Sequence, residues 1–415
     1  MKQWWQWLTA RRLLAVLFFI SLFAMSVRET IDPDLWWHLA TGRYIVETRS
    51  IPRHDVFSYT VPEHRWITHE WLTQVLMYGV YRLLGLPGLM LAAAGVITLT
   101  FGLVYAQCAG RPHLAVFVVL LAALASAVTW GARPQMVNML MAAGFTWVLR
   151  QNRRTGEWRI ANSEHEAHEE RKGHRGHNRW LRILPLLMAL WVNMHSGFFL
   201  GFVLMGVAWV GEVLHISKPS NLQTCQPSNL LTFKPSNLLI SQSTLFPVIL
   251  LSILASLLNP NTYHMLLYPF GTLGSQAMQR YIQEWHSPNF HRPEYWPFAL
   301  LLLGTAAVLA LGPRLRHSPV QDHPGDRTIP PTPALPHRER ETNSLEVGRI
   351  VDLLWFLGFG AAGLISARHI PLFAVVAPPL VTHCIRDWGQ GARDKGQGTR
   401  KRKKVPPSTV QPSNL

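Results

Sequence analysis

Apolar stretches long enough to cross a lipid bilayer recur from one end of this chain to the other, and its charged residues are confined to the segments between them. A hydrocarbon core about 30 Å thick needs roughly 20 helical residues at about 1.5 Å each. Candidate crossings fall near 8–27, 88–107, 113–131, 135–150, 181–194, 197–215, 240–258, 296–312, 350–367 and 370–386. The expected fold is therefore an all-α integral membrane protein with about ten transmembrane helices. The composition, 48% hydrophobic and 15% charged, leaves no room for a soluble domain of ordinary size.

A net charge of +16 is compatible with nucleic-acid binding, but the basic residues sit in loops beside apolar spans, as positive cytoplasmic anchors do. No nucleic-acid partner is expected; membrane lipid is. Cys108, Cys225 and Cys384 are too far apart and too few for a disulfide framework or a metal-ligand pattern. Arg11-Arg12 and the apolar run to Ala24 fit a signal peptide as well as a first span, and the many later spans favour an uncleaved one.

With Lys2, Arg11 and Arg12 inside, loop 28–87 lies outside, and the Arg/Lys-rich segments 151–180, 313–349 and 387–415 fall inside together with both termini. The expected organisation is a membrane module over 1–150, a low-complexity insert at 151–180, and membrane helices over 181–312 interrupted by an insert at 217–239. A Pro-rich loop at 313–349, a helix pair at 350–386 and a structureless basic tail at 387–415 follow. Pro-Ser-Asn-Leu recurs at 219–222, 227–230, 235–238 and 412–415, and His165, His168, His174 and His177 sit in an equally repetitive stretch; both read as polar filler. His195-Ser196-Gly197 breaks a run that is otherwise too long for one crossing.

These tolerant segments all fall on one side, which directs attention to the other. Loop 28–87 carries Asp32-Pro33-Asp34-Leu35-Trp36-Trp37-His38-Leu39 and Trp66-Ile67-Thr68-His69-Glu70-Trp71-Leu72. Asp32 before proline reads as the cap of an amphipathic helix over about 33–47. On it Leu35, Trp36, Leu39 and Ile45 would lie in the membrane interface, and Asp34, His38 and Thr41 share another stripe. A second amphipathic helix is expected over about 69–85, with Thr68 as its cap and a stop at Gly85 before Pro87. Helix capping and dipole compensation alone account for acids in these places. Further polar turns, around Arg133, His195, Asn259, residues 264–295 and Arg368-His369, fall on the same face, and ionisable groups at that depth mark candidate sites.

At these residues the chain resembles the GT-C superfamily of membrane glycosyltransferases. It is more closely similar to a bacterial group of multi-span proteins with the Asp-Pro-Asp-Leu-Trp-Trp-His-Leu and His-Glu-Trp-Leu segments. The resemblance covers about 1–150, with the later turns matching the narrower group. It implies two juxtamembrane helices in the first extracytoplasmic loop, a bacterial inner-membrane location, and a polyprenyl-phosphate-linked sugar as donor. It also implies an acidic residue acting as base or metal ligand, with Asp34 favoured, Asp32 second and Glu70 a further candidate. A divalent cation, Mg or Mn, would be held by Asp34 and Glu70. His38, His69, Arg133, His195, Arg368 and His369 are the expected substrate-binding groups. Inverting transfer to an extracytoplasmic acceptor is the expected reaction; the alternatives are a transporter or flippase for lipid-linked glycans, or a scaffold. Ten spans are few for the superfamily, and no soluble acceptor-binding domain follows them.

Overall fold

A computed structural model describes residues 9–29, 32–61, 64–162, 180–216, 243–316 and 336–402. The histidine-rich stretch 163–179, the repeats within 217–242 and 411–415, Cys225 and the end of the basic run at Lys403-Lys404 lie outside the described residues. Among those residues the fold is all-α, with one isolated bridge, His54 to Arg65, in place of any strand. The helices are α1 (Ala10–Ser26), α2 (Asp34–Thr48), α3 (Trp71–Gln107), α4 (Pro112–Ser126), α5 (Met136–Asn162), α6 (Leu184–Met194) and α7 (Phe199–Ile216). After them come α8 (Leu245–Ser256), α9 (Tyr263–Leu273), α10 (Gln276–Tyr281), α11 (Trp296–Arg316), α12 (Pro336–Ile365) and α13 (Ile370–Arg402).

Five described segments are long and apolar enough to cross a membrane: Trp71–Gln107, Pro112–Thr129, Ser196–Leu214, Pro293–Leu311 and Ala367–Trp388. Shorter apolar helices cover Leu181–Met194, Leu245–Ser256 and Ile350–Ile365. The chain is thus an all-α protein of membrane type. Ala367–Trp388 is the most enclosed of these five segments, with Phe373, Ala374, Val375 and Ala377 of α13 fully shielded, and it packs along α4, where Val119, Ala122 and Ala123 are equally buried. Small side chains on both helices let the two backbones approach closely, which is how apolar helices gain contact when lipid competes for their surfaces.

Two breaks shape the end of the bundle that carries the polar turns. Helix α3 is interrupted at Gly85, whose φ of 66° is open to glycine and costly for other residues, with Pro87 just beyond. The second break is at His195, which is extended (φ −164°, ψ 147°) between α6 and the turn leading to α7.

Several sequence-based expectations are corrected. Leu35, Leu39 and Ile45 are buried, and Leu35 and Leu39 pack on Met77, Leu89 and Ala132 instead of facing lipid; of that stripe Trp36 alone is exposed. The strong pairing of α2 with α3 buries this face inside the protein. Thr68 does not cap α3: its hydroxyl donates to Pro52 O at 2.7 Å, tying residue 68 back to residue 52. Helix also continues where inserts and a structureless tail are expected, because α5 runs on to Asn162, α12 starts at Pro336 and α13 reaches Arg402. Arg, Glu, Lys, Gln and Ala are good helix formers, so polarity alone does not end these helices.

Candidate functional site

The polar turns meet at one end of the bundle around a cavity of about 430 Å³. Asp34, His38, His69, Glu70, Arg133, His195 and Arg368, seven of the nine expected site residues, line it. Cross-links between turns hold its floor: Trp71 Nε1 donates to Asn193 Oδ1 at 2.9 Å, Thr73 Oγ1 to Met194 O at 2.8 Å, and Asn259 Nδ2 to Val192 O at 2.8 Å. Its opposite wall is the 275–286 segment, anchored by Ser366 Oγ donating to Glu284 O at 2.9 Å and Ala367 N–H to His286 O at 3.0 Å.

Glu70 lies one residue before α3, 6% exposed, and three imidazoles close on its carboxylate. His195 Nε2 is 3.0 Å and His69 Nε2 3.3 Å from Oε1, and His38 Nδ1 is 3.4 Å from Oε2. Burial by itself raises this carboxyl, but the facing His69 and His195 outweigh it and hold Glu70 well below the usual range. Burial pushes His38 and His195 down against the pull of Glu70, so both favour the neutral ring. Trp37 stacks on His38 with ring centres 3.9 Å apart, and Tyr268 on His69 at 4.5 Å.

Asp32 is also used up locally. Its Oδ1 accepts from Asp34 N–H at 3.0 Å, the capping role read from the Asp-Pro pair, and its Oδ2 pairs with Arg133. Arg133 pairs in turn with Glu284, so its charge is spent on two carboxylates. Asp34 differs: it is exposed in the cavity, and its carboxylate has no hydrogen bond or ion pair with any described residue. Arg368 lies over the Trp285 ring, 4.8 Å from its centre, within the field of Glu284 and Glu70 but in direct contact with neither. One free carboxylate and one free guanidinium therefore face the same space.

A smaller apolar cavity of about 180 Å³ adjoins the first and shares Gln135, His195, Ser196, Thr272, Trp285 and Arg368 with it. Met139, Phe199, Leu200, Leu273 and Leu372 supply its apolar walls, and His369 faces this space instead of the polar one. The donor set fits a divalent ion poorly. Both Glu70 oxygens already meet imidazoles and Glu284 is paired with Arg133, leaving Asp34 as the one unpaired carboxylate of the three that line the cavity, and among the described residues no three His, Cys, Asp or Glu side chains form a metal-holding group.

Asn138 takes part without having been singled out by sequence reasoning, whereas Glu284, Trp285 and Tyr268 fall within the 264–295 turn but outside the nine expected site residues. Within that turn Glu284 and Trp285 carry the polar signal, and Asn138 is the polar residue in the first turn of a helix that begins apolar. No family model, curated protein or solved structure matches this chain.

Proposed function

We propose that this chain is a membrane glycosyltransferase that moves a sugar from a polyprenyl-phosphate donor to an acceptor hydroxyl, with Asp34 as general base. The observation that carries the reading is the pairing of a free carboxylate with a free guanidinium across one cavity that continues into an apolar slot. A lipid-linked sugar phosphate has matching parts: a hydrocarbon chain for the slot, an anionic phosphate for Arg368 and a polar sugar for the larger space.

In the reaction the acceptor oxygen attacks the anomeric carbon as its proton passes to Asp34. The carbon–oxygen bond to phosphate breaks, and the electron pair leaves on the polyprenyl phosphate. Arg368 faces the charge that builds there. A single free carboxylate suits one displacement and hence inversion. Asp32 supports this arrangement by capping α2 and pairing with Arg133, and Glu70 by ordering three histidines; neither is free to take the proton. Exposure of Asp34 also favours transfer over flipping, because an acceptor from water must reach the base. No step is routed through a metal ion.

Replacing Asp34 with Asn is expected to lower transfer by roughly 10²–10⁴-fold with unchanged membrane abundance. Radiolabelled sugar transfer from polyprenyl-phosphate donors in membranes measures it, and equal transfer by native and variant protein removes Asp34 from the role.

A further inference from the structure

Beneath Glu70 a chain of hydrogen bonds fixes where one proton sits. The indole N–H of Trp191 can only donate, and it reaches Asn138 Oδ1 at 2.9 Å. That assigns the amide: oxygen toward Trp191, nitrogen toward His195, whose Nδ1 lies 2.9 Å from Asn138 Nδ2. The backbone N–H of Gly197 donates to the same Nδ1 at 2.8 Å. With two donors aimed at it, Nδ1 holds a lone pair, so the neutral ring carries its hydrogen on Nε2, 3.0 Å from Glu70 Oε1.

The local geometry is built for this. Trp191 is fully shielded, with Phe145 edge-on at 5.2 Å, and the extended backbone at His195 interrupts the helix, with the ring placed between Asn138 and Glu70. A Cβ at Gly197 would overlap the Asn138 amide, so any side chain there would displace it.

We propose that Asn138 is a positioning residue: together with the Gly197 N–H it holds His195 as the Nε2–H tautomer and so supplies Glu70 with a fixed donor. This rests on the reading of Asp34 as the base, because it explains why Glu70, in the same cavity, takes no proton from the acceptor. Nothing in the expected site set includes Asn138 or Trp191.

The test is solid-state NMR of full-length protein in lipid bilayers with ring-¹⁵N histidine, the His195 signals being identified by their loss in His195→Gln. The expected native spectrum shows His195 with hydrogen on Nε2 and a bare, hydrogen-bonded Nδ1. Asn138→Asp keeps the shape and the Trp191 partner but replaces the donor with an acceptor, so hydrogen is expected to appear on Nδ1. Asn138→Ala, which serves if the Asp variant fails to accumulate, leaves the Gly197 N–H as the one donor to Nδ1 and is expected to shift the His195 Nδ1 signal toward that of a more weakly hydrogen-bonded nitrogen. Hydrogen on Nδ1 in the native protein, or His195 signals unchanged in the variants, overturns the proposal. The spectra decide this whether or not transfer is detected, so the tautomer and the enzymatic reading fail separately. Where transfer is detected, Asn138→Asp is expected to reduce it at least about tenfold, and native-like transfer in a variant whose His195 has changed form ends the positioning role.

Discussion

The two ends of the bundle treat charge in opposite ways. At the end carrying the cavity, Asp34 and Arg368 have no ion-pair partner among the described residues, and Arg368 rests on the Trp285 ring. At the far end of α5, Arg150 Nη2 meets Asp352 at 2.9 Å, Arg153 reaches the same carboxylate at 3.5 Å, and both guanidinium groups lie over Trp355, at 5.4 and 5.5 Å. Glu212 near the end of α7 is likewise consumed: it accepts from the N–H groups of Thr244 and Leu245 and from the hydroxyls of Ser243 and Thr244, capping α8 from a neighbouring helix. Polar groups at one end close the fold; at the other some are held ready. Charge satisfied by the protein belongs to stability, and charge left facing a cavity belongs to a ligand.

Stability measurements give the largest test of this contrast. Asp352→Ala is expected to cost about 3–5 kcal/mol, because it strands two guanidinium groups in a buried place. Glu70→Ala, which removes the partner of three rings, is expected to cost about 1–3 kcal/mol. Asp34→Asn is expected to stay within about 0.5 kcal/mol of the native protein. Thermal unfolding in detergent ranks the three, and a destabilised Asp34→Asn would place that carboxylate among the structural charges.

Acidification sharpens the comparison. Burial holds His38 and His195 below their ordinary value near 6.5, so the unfolded chain takes up protons there before the folded site does. Stability contributed by the cavity end is thus expected to fall as pH drops through and below 6.5. Glu70 is depressed from 4.5, so its contribution is complete above that value and is lost as pH falls further, through its folded value. Unfolding temperature followed from pH 8 downward tests this; replacing His38 and His195 with Gln is expected to flatten the first part of the decline, and an unaltered profile would contradict it.

The smallest effect is expected from deleting 217–242 and joining its flanks with a short flexible linker. Glu212 ties the two ends of this segment together, and shortening a loop changes closure entropy by only about 0.6 kcal/mol per halving. Native unfolding temperature and transfer are the expected result, and loss of either would give that segment a role the Glu212 clamp does not explain.

Much of this was legible in the sequence, for identifiable reasons. Hydropathy places the apolar segments because lipid tolerates few charges, and the breaks at Gly85 and His195 follow from backbone freedom and from run length. The gathering of Asp34, Glu70, Arg133, His195 and Arg368 is what alternating apolar helices predict, since every second turn returns to the same end of a bundle. What stayed hidden depends on partners distant in sequence. Nothing local to Arg133 reveals that Asp32 and Glu284 share its charge, and the apolar stripe of α2 reads equally as a lipid-facing or a helix-facing surface. Nor does an asparagine in an apolar run disclose that it orients a histidine 57 residues away.

The central claim is that an anionic lipid-linked sugar binds with its phosphate at Arg368 and its chain in the adjoining apolar slot. Photo-crosslinking with a polyprenyl-phosphate sugar bearing a diazirine in the first isoprene units, read out by peptide mass spectrometry, tests it most directly. The expected result is labelling within 196–200, 269–273 and 369–372, reduced about 10- to 100-fold by Arg368→Ala, as loss of a charged hydrogen-bond donor implies. Labelling confined to outward-facing residues such as Leu300 and Leu303, and unchanged by Arg368→Ala, would contradict it.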